Sequence, residues 1–305
     1  MDSADPNAGS TPVPLTGMSD VVDIGMTSQR TCVVHGSGAV DCVGQNNPTP
    51  TAVAEVSNAK KLALSDQRSC AVQTDGKLFC WGYSYQWGTE NLVMDLHGEQ
   101  VIDTAVDTSS AFAATSSGTV YSWGADVWML GRDTPLQKDL TPAPVIGLPP
   151  IFELKVANLS VLAVTTDGRL FGWGRNTGGL LGVGVLRSMA VPTEVLFPKG
   201  SAMPTQVTMS VTHSCTRMTD NSVMCWGARN AYGELGREDS VGSWAPVSVE
   251  GLKKPVIAVA AGMFSTCFVL IDGTVQCIGD NSYGQLGLGA RDADRHTTPA
   301  NVVFH

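Results

Sequence analysis

Residues Ser69–Cys80, read as Ser-Cys-Ala-Val-Gln-Thr-Asp-Gly-Lys-Leu-Phe-Cys, alternate apolar and polar positions on both sides of an Asp-Gly step. Alternation with a period of two around such a step is the local signature of a β-hairpin. A three-residue loop of Thr74, Asp75 and Gly76 puts the last of them at positive φ, where glycine has no Cβ to clash. The same stretch recurs six times, and the corresponding loop position holds Gly38, Gly76, Gly118, Gly168, Asn221 and Gly273. Five glycines and an asparagine are the residue types that tolerate this conformation.

Each hairpin ends on an apolar residue followed by glycine: Val43-Gly44, Trp81-Gly82, Trp123-Gly124, Trp173-Gly174, Trp226-Gly227 and Ile278-Gly279. A polar, Gly-rich loop follows, clearest in Asn230–Gly236 and Asn281–Gly287, and then a Pro-led run such as Thr141–Val145, Ala245–Val249 or Thr298–Val302. A further strand such as Val256–Ala260 opens the next hairpin. Each unit supplies about four short strands and no segment sustains a helical period, so the expected fold is all-β, a β-propeller of six four-stranded blades. Residues 1–10 read as a disordered linker or tag remnant, and 11–305 as a single propeller domain.

Thr-Pro-x-x-Val, Val-x-x-Val-Ala-Ala-Gly, an Asp-Gly hairpin and Trp-Gly-x-Asn-x-x-Gly-Gln-Leu-Gly, in that order, resemble the regulator of chromosome condensation repeat family. Val256–Leu288 matches most closely, and the first unit, with Val43 and a short Gln45-Asn46-Asn47 loop, least. The resemblance implies a ring usually of seven blades, yet six hairpins are readable. Thr298–Val302 completes the sixth blade, leaving Thr11–Leu15 as an extra outer strand; a seven-bladed ring or an incomplete seventh blade is the alternative. The resemblance also implies guanine nucleotide exchange on a small GTPase with chromatin docking. That function needs a basic tail and an inserted wedge between strands, and neither is present.

The eight cysteines fall as Cys32 and Cys42, Cys70 and Cys80, Cys215 and Cys225, Cys267 and Cys277, always nine residues between. In the hairpin derived above, Cys70 and Cys80 face each other at a non-hydrogen-bonded pair, where Cα atoms approach to about 4.5 Å, within disulfide reach. Where a unit lacks cysteine both partners are replaced together, by Phe112 with Ser122 and by Leu162 with Gly172. Four intra-hairpin disulfides are therefore expected. Zinc draws four ligands together at short spacings, unlike pairs on separate blades. Disulfides persist in oxidising compartments, so the expected location is extracellular, periplasmic or on the cell surface. Met1–Ser10 has neither a basic start nor an apolar stretch, so the reading takes a signal segment as removed and Met1 as an added start.

With 28 acidic against 19 basic residues the net charge is −9, which opposes nucleic-acid binding. Apolar runs are far shorter than a membrane helix needs, so no membrane insertion is expected. The five histidines are scattered, no nucleophile elbow or phosphate loop appears, and His213 reads as a cap on the turn between first and second strands. No catalytic residue, metal or cofactor is assigned. The expected function is non-enzymatic recognition, as a monomer, of a protein or glycan partner; a hydrolase acting on an extracellular polymer is the remoter alternative. Loops after the Trp-Gly step vary most between units, so their face is the expected binding face, with Trp128, Tyr283, Tyr232, Arg68 and Arg30 as contacts. Trp87, in the slot of Leu286, is expected in the core.

Overall fold

The computed structural model describes residues 9–44, 47–84, 88–89, 92–94 and 96–304; Trp87 and most of the 1–10 stretch lie outside them. Six antiparallel sheets follow one another along the chain, each ordered from inner to outer strand as the sequence runs. The innermost strands are Val21–Met26, Ala59–Leu64, Val101–Val106, Ile151–Ala157, Pro204–Met209 and Val256–Ala261. Five blades have four strands; in the second, the outer edge is made by two short pieces, Gly88–Thr89 and Leu92–Met94. The innermost strands of all six blades line a central cavity of about 510 Å³. One short 3₁₀ turn, Val127–Met129, is the helical element among the described residues, and no helix there is long and apolar enough to cross a membrane.

The turn column behaves as its residue types require. Gly38, Gly76, Gly118, Gly168 and Gly273 have φ between 81° and 85°, and Asn221 has φ 63°. Four hairpins carry a disulfide at the expected register, with Cα atoms 4.0 to 4.1 Å apart, and no cysteine is free. The third and fourth blades pair Phe112 with Ser122 and Leu162 with Gly172 at the same place. There the Phe112 ring stands edge-on to Trp173 of the next blade, centroids 6.0 Å apart. Packing thus takes the place of the bridge.

The core lies between blades, not within them. Phe112, Met129, Leu154, Val161 and Trp173 form one cluster across the third and fourth blades, and Cys70, Cys80, Val101 and Trp123 another across the second and third. Burying side chains of this size stabilises by roughly 1.5–3 kcal/mol each. Ser10, within the stretch read as a linker, is buried, and its carbonyl accepts the Gly289 amide at 3.0 Å.

Candidate recognition face

The glycine of each Trp-Gly step fixes which loops share a face. A Cβ on Gly44, Gly82, Gly124, Gly174, Gly227 or Gly279 would lie 2.2 to 2.5 Å from the carbonyl oxygen just before that blade's second strand. The end of the third strand therefore abuts the turn between the first two, and the loops after Trp-Gly project at that end. The Asp-Gly turns lie at the other.

These loops are pinned from below by a residue that sequence reasoning passed over. Asn176, Asn230 and Asn281 are buried, and their Oδ1 atoms accept the amides of Leu181, Leu235 and Leu286 at 3.1, 2.9 and 3.3 Å. Their Nδ2 groups donate onward, to Val185, Arg237 and Ala290 carbonyls among others. The signal was present: each asparagine follows the Trp-Gly step, or Ile278-Gly279, by two or three positions. Arg295 adds a second tie, donating to the carbonyls of Asn230, Ala231, Glu238 and Asp239 in the fifth blade's loop.

Exposed aromatic side chains stand on the loops of the third, fifth and sixth blades. Tyr283 is 78% exposed and Trp128 67%. Trp128 sits in the 3₁₀ turn, its amide donating to the Asp126 carboxylate at 3.2 Å, while Asp126 pairs with Arg175 of the next blade at 3.2 Å. Asp126, Trp128, Gln137 and Arg175 border a depression of about 450 Å³. Tyr232 leans on Phe264, ring centroids 5.0 Å apart, and Trp244 is also exposed. Side chains held out by a rigid loop lose little freedom on binding, which is what gives aromatic anchors their weight.

Arg30 and Arg68 stand elsewhere. Arg68 is 4% exposed, and burial lowers the pKa of its guanidinium. The Arg30 guanidinium reaches into the second blade, donating to Ser65 O at 3.1 Å and Ser69 Oγ at 2.8 Å. Arg30 thus ties the first blade to the second, and it also borders a depression of about 540 Å³ with Gln29, Asp66 and Trp81, whereas Arg68 is buried. His213 occupies the same position. Its Nδ1 lies 3.1 Å from both Ser210 Oγ and Thr212 Oγ1, as a turn cap would, and its Nε2 is 2.7 Å from Thr266 Oγ1 of the sixth blade. Burial pushes its pKa down to about 4.

The inner strands carry a second set of ties. The side chains of Asp23, Asp103, Glu153 and Gln206 accept the amides of Leu62, Leu154, Val207 and Val259, each one blade on. In the second blade Lys61 instead donates to Asp103 at 3.1 Å. Burial opposes a charge on Lys155, but the carboxylates of Glu153, Asp103 and Asp23 outweigh it and raise the pKa. These charges are engaged in joining blades. Among the described residues, no three His, Cys, Asp or Glu side chains are grouped to hold a metal ion.

Two family models, both described as the Regulator of chromosome condensation (RCC1) repeat, match residues 167–216 and 220–269, and 256–285. The ultraviolet-B receptor UVR8 of Arabidopsis thaliana is 32% identical over 211 residues, 67% of this chain and 46% of that protein. The chain spans less than half the length of the curated relatives it matches. Prp20p of Saccharomyces cerevisiae, whose structure was published with its binding to Gsp1p and histones, superposes with a TM-score of 0.79 at 18% identity, covering 92% of this chain and 76% of its own. The ectodomain of the Arabidopsis thaliana receptor kinase ACR4 gives 0.53 at 17% identity, covering 86% and 82%. At such identities the likeness to these two structures shows the fold alone.

Proposed function

The chain belongs to the regulator of chromosome condensation repeat family, and from that premise we propose that it is a non-catalytic recognition module, extracellular, whose partner protein contacts the face carrying the loops after Trp-Gly. The observation that carries this is the combination of pinned loops with outward aromatics: Asn230 and Asn281 hold the loops that carry Tyr232 and Tyr283, Asp126 and Trp173 hold the turn that carries Trp128, and all three rings are exposed. Four disulfides support an oxidising location, and one structural neighbour is a receptor ectodomain. A net charge of −9 favours a partner of neutral or basic surface over a nucleic acid. The arginines belong to the scaffold of this site, and Trp128, Tyr283 and Tyr232 to its contact surface.

Quantitative enrichment of partners with immobilised protein tests the proposal. Trp128→Ala with Tyr283→Ala should weaken retention of the specific partner by more than about 1 kcal/mol per anchor, while Lys77→Ala with Arg169→Ala, on the hairpin turns, leaves it intact. Retention lost only with the second pair would place the partner on the opposite face. A glycan array separates a carbohydrate partner from the protein proposed.

A further inference from the structure

The first blade differs from the third to sixth in the loop after its third strand. Gly44 pairs with Asn47 across two residues, whereas Gly124 pairs with Asp139, Gly174 with Met189, Gly227 with Ser243 and Gly279 with His296, each across 14 to 16. Each of the four long loops contains a Leu-Gly step: Leu130-Gly131, Leu181-Gly182, Leu235-Gly236 and Leu286-Gly287. Gln45 and Asn46 supply none.

In the long loops the step has a fixed seat. All four leucines are buried, and the four glycines have φ of 66° to 69°, which a side chain would oppose. The Leu130 carbonyl accepts the Ser122 hydroxyl at 2.7 Å, and Leu181 lies 3.3 Å from the Cβ position of Gly172. The glycine is clamped. A Cβ on Gly236 would meet Val249 of its own outer strand at 2.5 Å and Ile278 of the next blade at 3.2 Å. On Gly131 and Gly182 it would meet the indole Nε1 of Trp173 and Trp226, one blade on, at 2.8 and 2.7 Å. Those same indole N–H groups donate to the residue before each leucine, Met129 and Leu180, at 2.8 Å. The Gly236 and Gly287 carbonyls accept the Glu250 and Val303 amides at 3.1 and 2.8 Å.

The first and second blades carry the same seat. Cys42 holds the strand position of Ser122 and Gly172. Val53 holds that of Val249, its amide bonding the Val40 carbonyl as the Val249 amide bonds that of Val223. Trp81 holds that of Trp173 and Trp226. All three border the depression of about 540 Å³, which opens beside Gln29 and Asp66 in the turns at the recognition-face end. Cys42 is half-buried, where Ser122 and Cys225 are 0% exposed and Cys277 2%. Trp81 is 8% exposed, where Trp173, Trp226 and Ile278 are 0%. The exposure falls on the atoms that a Leu-Gly step covers elsewhere.

We propose that this depression, at the joint of the first and second blades, is a docking site for a Leu-Gly segment of the partner protein, which takes the seat that other blades fill from their own loops. The proposal rests on the reading of this face as the one that binds protein, and adds the segment chemistry it selects. The carbonyl before the leucine accepts the Trp81 indole N–H, as that of Met129 accepts Trp173. The leucine side chain lies on Cys42, as Leu181 lies on Gly172. The glycine, at positive φ, fits between Val53 and Trp81, and its carbonyl meets the Ala54 amide, as that of Gly236 meets Glu250. Alanine in place of the leucine forfeits buried apolar area, and alanine in place of the glycine is opposed by both φ and the clamp.

The probe is a fluorescent, end-blocked peptide of sequence Asn-Ala-Tyr-Gly-Glu-Leu-Gly, that of residues 230–236, which in the fifth blade closes its own turn through Asn230 Oδ1 and the Leu235 amide at 2.9 Å. Titration with the whole 305-residue chain, read by anisotropy, should saturate. Peptides with alanine for the leucine or for the final glycine should bind at least tenfold more weakly. Ala52→Trp, at an exposed position bordering the depression, should abolish binding and leave thermal unfolding unchanged. Trp81→Phe, which keeps a ring but removes the N–H donor, should weaken it several-fold. A parent peptide that binds no more tightly than its alanine versions would overturn the proposal, as would binding unaffected by Ala52→Trp. The assay needs no captured partner, so the two readings fail separately. A partner held by the hairpin turns would refute the recognition face with peptide binding intact, and a peptide that fails to bind would refute this site with the Trp128 and Tyr283 result standing.

Discussion

Stability should fall between neutral and mildly acidic pH because of one residue, His213. Its ring is fully buried between the fifth and sixth blades, faced by the Ser210, Thr212 and Thr266 hydroxyls, none of which stabilises an imidazolium as a carboxylate would. Burial lowers its pKa from 6.5 to about 4. The unfolded chain then takes up a proton below about pH 6.5 that the folded chain refuses until about pH 4, so the stabilisation is complete above the first value and is lost as pH falls toward the second. Linkage puts the loss between pH 7.5 and pH 5 at about 2 kcal/mol, and the full loss at about 3 kcal/mol. The perturbation is His213→Gln, and the assay is urea unfolding of both proteins at the two pH values. Asp23, Asp107 and Glu153, whose pKa values burial raises, act in the opposite direction. They are common to both proteins and cancel in the difference. The variant should be less stable at pH 7.5 but lose about 2 kcal/mol less on acidification. An equal loss in both proteins would refute the reasoning.

Non-reducing peptide mass spectrometry should recover Cys32 with Cys42, Cys70 with Cys80, Cys215 with Cys225 and Cys267 with Cys277 and no alkylatable thiol. Replacing Cys70 and Cys80 together by Ala should cost somewhat under about 3 kcal/mol in chemical denaturation, the chain-entropy value for so short a loop. Gly118→Ala and Gly273→Ala share nearly the same φ, +85° and +82°, but the first Cβ would meet Pro150 at 2.4 Å and the second meets open space. Gly273→Ala should therefore cost about 1 kcal/mol for the backbone alone, and Gly118→Ala at least about 1 kcal/mol more, read from unfolding midpoints.

The blade architecture was legible because each blade repeats local instructions. Period-two alternation, a loop residue at positive φ and a Trp-Gly step act within a dozen residues, and six copies made the column of Gly38 through Gly273 readable without a structure. The disulfides were legible for the same reason, since cross-strand register follows from the turn. The joints between blades were not. Arg30 read as a contact on the binding face because strand periodicity gives a side chain's direction but not which neighbouring blade stands there, here Ser65 and Ser69 of the second. Asp103 bonding the Leu154 amide spans 51 residues, and no local pattern marks such a pair. Trp128 was found by a mismatch: a large ring in the slot that Gly284 fills has no burial to explain it, and the ring is exposed.

The measurement that reaches the central claim most directly is hydrogen exchange on the complex with the captured partner. Binding on the proposed face should slow exchange in the amides of 125–131 and 280–289, and leave the hairpin turns at 74–77 and 166–169 unchanged. Slowed exchange at those turns, with the Trp128 and Tyr283 loops unaffected, would contradict it.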